Sequence, residues 1–137
     1  MPTVVVERPY GSAPSYRGAV PIVEVILRPT YKGAEYRAVA VVDSGAELSY
    51  VPHGIPKAHG WTPKGISAVN INPMGGPACQ VPRYLVSLRL NAIEWSMPVC
   101  EQPKGSSIKC ILLGHDVLRR FLVELEGPAT RLRMTQP

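Results

Sequence analysis

The stretch Ala38–Pro52, AVAVVDSGAELSYVP, decides how this chain is read. Small apolar residues run to Val42, Asp43 follows at once, a Ser44-Gly45-Ala46 turn comes next, and an apolar segment resumes after Glu47. A strand of this composition is wanted inside the protein, so it carries the Asp43 carboxylate to a place where an isolated charge is costly. Gly45 permits a tight backbone turn, and the Ser44 hydroxyl can tie that turn to neighbouring backbone. A carboxylate held this way at a strand end suits acid/base chemistry. Alone, Asp-Ser-Gly equally describes an ordinary β-turn with Asp and Gly in their usual places.

A second stretch, Cys110–Leu118 (CILLGHDVL), again stops an apolar run at a glycine, Gly114, before a short amphipathic segment. Between the two lies Asn72–Ala78 (NPMGGPA), too rich in Gly and Pro to be core and therefore expected at a projecting hairpin tip. In this order the three resemble the retropepsin-like aspartic proteases, the half-sized relatives of pepsin. Val41–Ala46 matches the apolar-apolar-Asp-Ser/Thr-Gly-Ala loop and Leu112–Gly114 the apolar-apolar-Gly turn that precedes a helix, with the likeness covering about Val20–Met134.

The resemblance implies an all-β, mainly antiparallel barrel of the retropepsin type with one short C-terminal helix, as a single domain over residues 1–137. It implies Asp43 as the catalytic residue, and Ser44, Gly45 and Ala46 as the active-site loop. Pro73, Met74, Gly75, Gly76 and Pro77 would form a substrate-covering flap at the tip of a hairpin spanning 65–90. Glu47, Leu113, Gly114 and His115 would support the loop. His115 stands where viral relatives commonly carry Arg, and Glu47 where they carry its acidic partner, so the two pair if that link survives, and otherwise His115 is an exposed residue beside the helix start.

Cleaving a peptide without metal or covalent nucleophile takes a base to activate water and an acid to protonate the carbonyl oxygen. Two carboxylates roughly 3 Å apart do both, because repulsion leaves one proton shared between them. The chain has two aspartates, Asp43 and Asp116. Asp116 begins no Asp-Ser/Thr-Gly loop and is expected to cap the helix that follows Gly114. The second carboxylate must then come from Asp43 of another copy, which makes a homodimer with one site at its two-fold axis and an extended polypeptide as substrate.

Composition narrows the alternatives. Fifteen prolines and twelve glycines spread along 137 residues favour short strands joined by turns. The net charge of +5 comes from dispersed Lys and Arg, with no run longer than Arg119–Arg120, which argues for a solvated surface and against a nucleic-acid module. No apolar run approaches the roughly 20 residues of a membrane span, and the start lacks a basic-then-apolar leader pattern, so no membrane partner and a cytoplasmic location are expected. Cys79, Cys100 and Cys110 show no paired spacing, and His53 and His59 have no third ligand at zinc-site spacing, so neither metal nor cofactor is expected. A binding or assembly module that keeps the fold with little turnover is the rival reading.

Along the chain, Thr3–Val6 opens an arm or a peripheral strand within residues 1–18. Strands are expected over Ala19–Leu27, Ala34–Val42, Leu48–Val51, Gly65–Asn72, Cys79–Leu90, Ala92–Cys100 and Ile108–Leu113, with one helical turn in Pro56–Gly60. Val117, Leu118 and Phe121 share a helical face, Leu122–Leu125 returns to a two-residue period, and Gly127–Pro128 turns the chain into Arg131–Met134. Val81 and Leu85, with Val86, Leu88 and Leu90, are expected inward against Arg83, Ser87 and Arg89.

Overall fold

The computed structural model describes residues 2–73 and 76–137. Strands β1 (Thr3–Pro9), β2 (Ile22–Pro29), β3 (Tyr36–Val42) and β4 (Tyr50–Val51) precede a one-turn helix, α1 (Ile55–Ala58). Then come β5 (Val69–Ile71), β6 (Cys79–Val81), β7 (Arg83–Leu90), β8 (Ile93–Glu101) and β9 (Ile111–Leu113). Helix α2 (His115–Leu118) and the hairpin of β10 (Leu122–Glu126) and β11 (Arg131–Gln136) complete the chain. Among the described residues, no helix is long and apolar enough to cross a membrane.

Six strands close a barrel in the order β2-β3-β9-β4-β8-β7. Two of its seams are parallel: β3 runs beside β9, with Ala40, Val41 and Val42 opposite Ile111, Leu112 and Leu113, and β4 runs beside β8. The first of these seams positions the site, because both strands end at the same level and release their following loops side by side.

The barrel interior is aliphatic. Val25, Leu27, Ala40, Val86, Leu88, Leu90, Ile111 and Leu113 are almost fully buried in one continuous cluster. Burying each Val, Leu or Ile side chain contributes about 1.5–3 kcal/mol. Along β7 the inward set is Tyr84, Val86, Leu88 and Leu90, while Leu85 shares the outer face with Arg83, Ser87 and Arg89. Leu85 was expected inward in phase with Val81, and the phase changes because Pro82 separates β6 from β7. Proline donates no backbone hydrogen bond and interrupts a ladder, so alternation restarts after it.

The N-terminal segment is a strand. β1 pairs antiparallel with β11 from Thr3 opposite Gln136 to Pro9 opposite Arg131, and β11 also pairs with β10. Val6, Leu132 and Met134 of this three-stranded sheet are buried in the same cluster as the barrel. A second, smaller buried cluster holds Ala13, Ile22, Val41, Cys110 and Leu112. β3 therefore buries both faces at its end, which is why its sequence reads as an unbroken apolar run.

Candidate active site

Asp43 is the residue after β3, and its backbone N–H donates to Leu113 O of the neighbouring β9 at 3.0 Å. Its carboxylate accepts the Gly45 N–H at 3.0 Å, and its carbonyl oxygen accepts the Ala46 N–H at 3.2 Å. These bonds fold residues 43–46 into a closed turn of the Asx type, set by a short acidic side chain. A Cβ on Gly45 would sit 3.3 Å from Asp43 Oδ1, so glycine keeps that approach open. Asp43 itself is half-buried, and Ser44 and Gly45 are exposed.

The loop after β9 locks onto this turn. The His115 N–H donates to Ala46 O at 2.8 Å and the Asp116 N–H to Glu47 O at 3.2 Å. Gly114 lies directly beneath, where a Cβ would come within 2.5 Å of Leu48 O and 2.7 Å of Ala46 O. Any side chain there would push the two loops apart. The apolar-apolar-Gly motif is thus a close backbone approach that seats one loop on the other.

Of the two readings open for His115, the structure has the exposed residue at the helix start, and the expected Asp116 cap does not form. His115 and Glu47 line one shallow depression together with Leu48 and Arg119, but they do not pair. The His115 ring instead reaches back to the Ser44 carbonyl, at 2.6 Å from Nε2. A carbonyl oxygen only accepts, so Nε2 carries the proton. The backbone bond from His115 to Ala46 fixes the residue so that its ring spans the turn, leaving Glu47 exposed.

Nor does Asp116 cap α2, whose N-cap residue is Gly114 with no side-chain cap. Its carboxylate accepts both the Ser49 N–H at 2.9 Å and the Ser49 hydroxyl at 2.5 Å, and Ser49 Oγ in turn accepts the Gly114 N–H at 3.0 Å. Ser49 is only 1% exposed, so its amide and hydroxyl need internal partners, and Asp116 supplies them. This Gly114–Ser49–Asp116 chain was missed in the sequence. The available signal was a serine inside the apolar run Leu48-Ser49-Tyr50-Val51, since a hydroxyl there must find a partner.

The Gly/Pro-rich segment lies at the end of a two-stranded hairpin in which Val69, Asn70 and Ile71 pair with Val81, Gln80 and Cys79. The pairing is narrower than the 65–90 expected, because residues 83–90 belong to the barrel as β7. A turn bond joins the Gly76 N–H to Pro73 O at 2.9 Å, and Gly76 and Pro77 are exposed. Met74 and Gly75 lie outside the described residues. Asp43, Ser44, Ala46, Leu113, Gly114 and His115 are therefore joined by direct hydrogen bonds or contact. No hydrogen bond links the hairpin tip to the Asp43 turn among the described residues.

The three thiols are free, with Cys100 and Cys110 buried, and no group of three His, Cys, Asp or Glu side chains that could hold a metal occurs among the described residues. The arrangement offers one carboxylate on a hydrogen-bonded turn, accepting a single bond among the described residues. A carboxylate so held can take up and transfer a proton.

No family model matches the sequence, and no curated protein is similar to it. Solved structures are. A retropepsin-like aspartic protease from Rickettsia conorii superposes over 88% of this chain and 97% of its own, with 14% identity and a TM-score of 0.56. The simian foamy virus (mac) protease matches 72% of this chain and 91% of its own at 19% identity and TM-score 0.48. The retroviral protease-like domain of Ddi1 from Leishmania major matches 86% and 96% at 16% identity and TM-score 0.44. The Rickettsia superposition, spanning nearly all of both chains, assigns the fold.

Proposed function

We propose that this chain, whose fold is retropepsin-like, is an aspartic endopeptidase that works as a homodimer. The observation that carries the reading is Asp43: it stands on a turn fixed from both sides, yet its carboxylate accepts a single hydrogen bond within the described chain. Asp116, the other aspartate, is held by Ser49 and cannot serve as the partner. Two-fold symmetry provides one, bringing the Asp43 carboxylates of two copies together at the axis.

Between them, one carboxylate takes a proton from a bound water as the water attacks the scissile carbonyl carbon, and the other, protonated, donates to the carbonyl oxygen. The proton held by the first then passes to the leaving nitrogen as the C–N bond breaks, while the second takes a proton back from a hydroxyl of the tetrahedral intermediate as the carbonyl re-forms, which returns the pair to its shared-proton state. Ser44 braces the paired turns, and Gly45 and Ala46 line the floor. The 73–77 tip of each hairpin covers an extended polypeptide, which adds to it as a strand and is shielded from bulk water. Glu47, Leu113, Gly114 and His115 keep the turn in place. Neither metal nor cofactor takes part. The free thiols Cys79, Cys100 and Cys110 suit a reducing compartment such as the cytoplasm.

The test combines turnover with particle mass. The wild-type chain is expected to sediment as a dimer, to cleave an unstructured protein best at mildly acidic pH, and to be inhibited by a statine-type transition-state mimic. Asp43→Asn is expected to stay dimeric without cleaving. Residual cleavage by that variant, or a strict monomer at micromolar concentration, would overturn the proposal.

A further inference from the structure

The face of the β3–β9 seam that carries Asp43 is already covered by the chain's own N-terminal loop. Along the seam, Ala40, Val42, Ile111 and Leu113 turn into the barrel core. Val41 and its register partner Leu112 project from the opposite face, into the smaller buried cluster with Ala13, Ile22 and Cys110. Side chains alternate along a strand, so Asp43 shares the face of Val41. An apolar shelf therefore adjoins the carboxylate, where the side chains of a bound polypeptide would rest.

Residues 11–20 double back over that shelf. Gly11 and Val20 exchange two backbone hydrogen bonds of 2.9 Å, which closes the loop at its base. The Ser15 hydroxyl donates to Ser107 O at 2.8 Å and accepts the Lys109 N–H at 3.0 Å, which pins its far end to the segment entering β9. Ala13 is 7% exposed, and Tyr16 and Val20 pack on the cluster. Burial pushes the Tyr16 phenol up, and the negative charges of Cys110 and Asp43 add to it, so the ring lies within electrostatic reach of the catalytic carboxylate. A loop held at base and tip is a fixed wall and not a plug that swings away.

We propose that Tyr16 is a specificity-determining residue: it occupies the Val41–Leu112 shelf beside Asp43, so the substrate side chain that flanks the scissile bond at this position must be small. The inference rests on the peptidase reading of Asp43. It differs from that reading in what would break it, because the wall acts on binding and the aspartate on cleavage.

Two extended peptides that differ only in Ala or Leu at the flanking position distinguish the two. Cleavage is measured with the wild-type chain and with Tyr16→Ala. Equilibrium binding is measured with Asp43→Asn and with Asp43→Asn carrying Tyr16→Ala. The wild-type wall is expected to favour the Ala peptide in both assays, and Tyr16→Ala to raise the Leu-to-Ala ratio about tenfold, the scale on which a hydrophobic pocket sorts side chains by size. Tyr16→Phe keeps the bulk and should keep the preference; Tyr16→Leu should shift it partway, which provides the test should the alanine variant not fold. A shifted binding ratio without any cleavage would uphold the wall and sink the peptidase reading. Cleavage with no change in either ratio, equal use of the two peptides by the wild-type chain, or binding of neither peptide would overturn the wall.

Discussion

The segments that follow β3 and β9 each carry an aspartate, and the two side chains are treated in opposite ways. Asp116, after β9, is fully engaged: it accepts from the amide and the hydroxyl of a serine that is 1% exposed. Asp43, after β3, accepts one bond among the described residues, from an amide two residues on. Glu101 repeats the Asp116 pattern, receiving the Tyr84 hydroxyl at 3.1 Å and the Gly54 N–H at 2.8 Å, with His53 Nδ1 at 3.3 Å. A carboxylate whose acceptors are filled within the chain is part of the scaffold. One that is fixed in place but left underused is available for chemistry.

The largest effect expected from this contrast is on turnover. Asp43→Asn should lower kcat/KM by at least about a thousandfold, the scale of losing an acid/base group. Its unfolding free energy in urea should stay within about 0.5 kcal/mol of the wild-type value, as for a substitution that breaks no buried network. A large loss of stability in this variant would place Asp43 with the structural carboxylates. Gly114→Ala should behave in the reverse sense. Its Cβ would lie 2.5 Å from Leu48 O, and an overpacked contact of this kind costs about 3 kcal/mol. An unchanged urea midpoint would show that the seat between the loops has room to give.

Ser49→Ala is the next smaller perturbation. It leaves the Gly114 N–H without its acceptor and removes one donor from Asp116, at a cost of about 2 kcal/mol because one of the lost bonds is charge-assisted. Equilibrium unfolding would detect it, and a loss under about 0.5 kcal/mol would mean that the Asp116 chain is decoration.

How much of this was legible in the sequence follows the same division. The Asp43 turn and Gly114 could be read because their chemistry is local: an acid, a glycine two residues on, and an apolar run that stops at glycine. The Ser49–Asp116 pairing joins residues 67 apart and appears only once β3 and β9 are parallel neighbours. Whether His115 meets Glu47 could not be read for a related reason, since nothing in sequence tells that the Ser44 carbonyl lies within reach of its ring. Leu85 was placed inward because residues 79–90 read as one strand, whereas Pro82 splits them and shifts the alternation. The segment 11–20, without periodicity, gave no sign that it covers the Asp43 face.

A further expected effect is alkaline. Burial pushes the Cys100 thiol up to about 11 from an ordinary 9.0, and burial with Glu101 beside it pushes the Tyr84 phenol up to about 12 from 10.0. The unfolded chain gives up these protons at the lower values and the folded chain at the higher ones, so folding binds protons in between. Stability should be full below pH 9, fall as the pH rises through each window, and level off near pH 12. Cys100→Ala should flatten the first part of that decline, between pH 9 and 11, in urea titrations at stepped pH. An identical slope in the variant would remove the thiol from the account.

The central claim is that two copies of Asp43 share one reaction, and mixing subunits tests it most directly. Wild-type chain and Asp43→Asn are unfolded together in varied proportion at fixed total concentration, refolded, and assayed for peptide cleavage. If each site needs an aspartate from both copies, activity falls with the square of the wild-type fraction. A fall in simple proportion to that fraction would mean that one chain carries out the reaction alone, and the dimeric site would be contradicted.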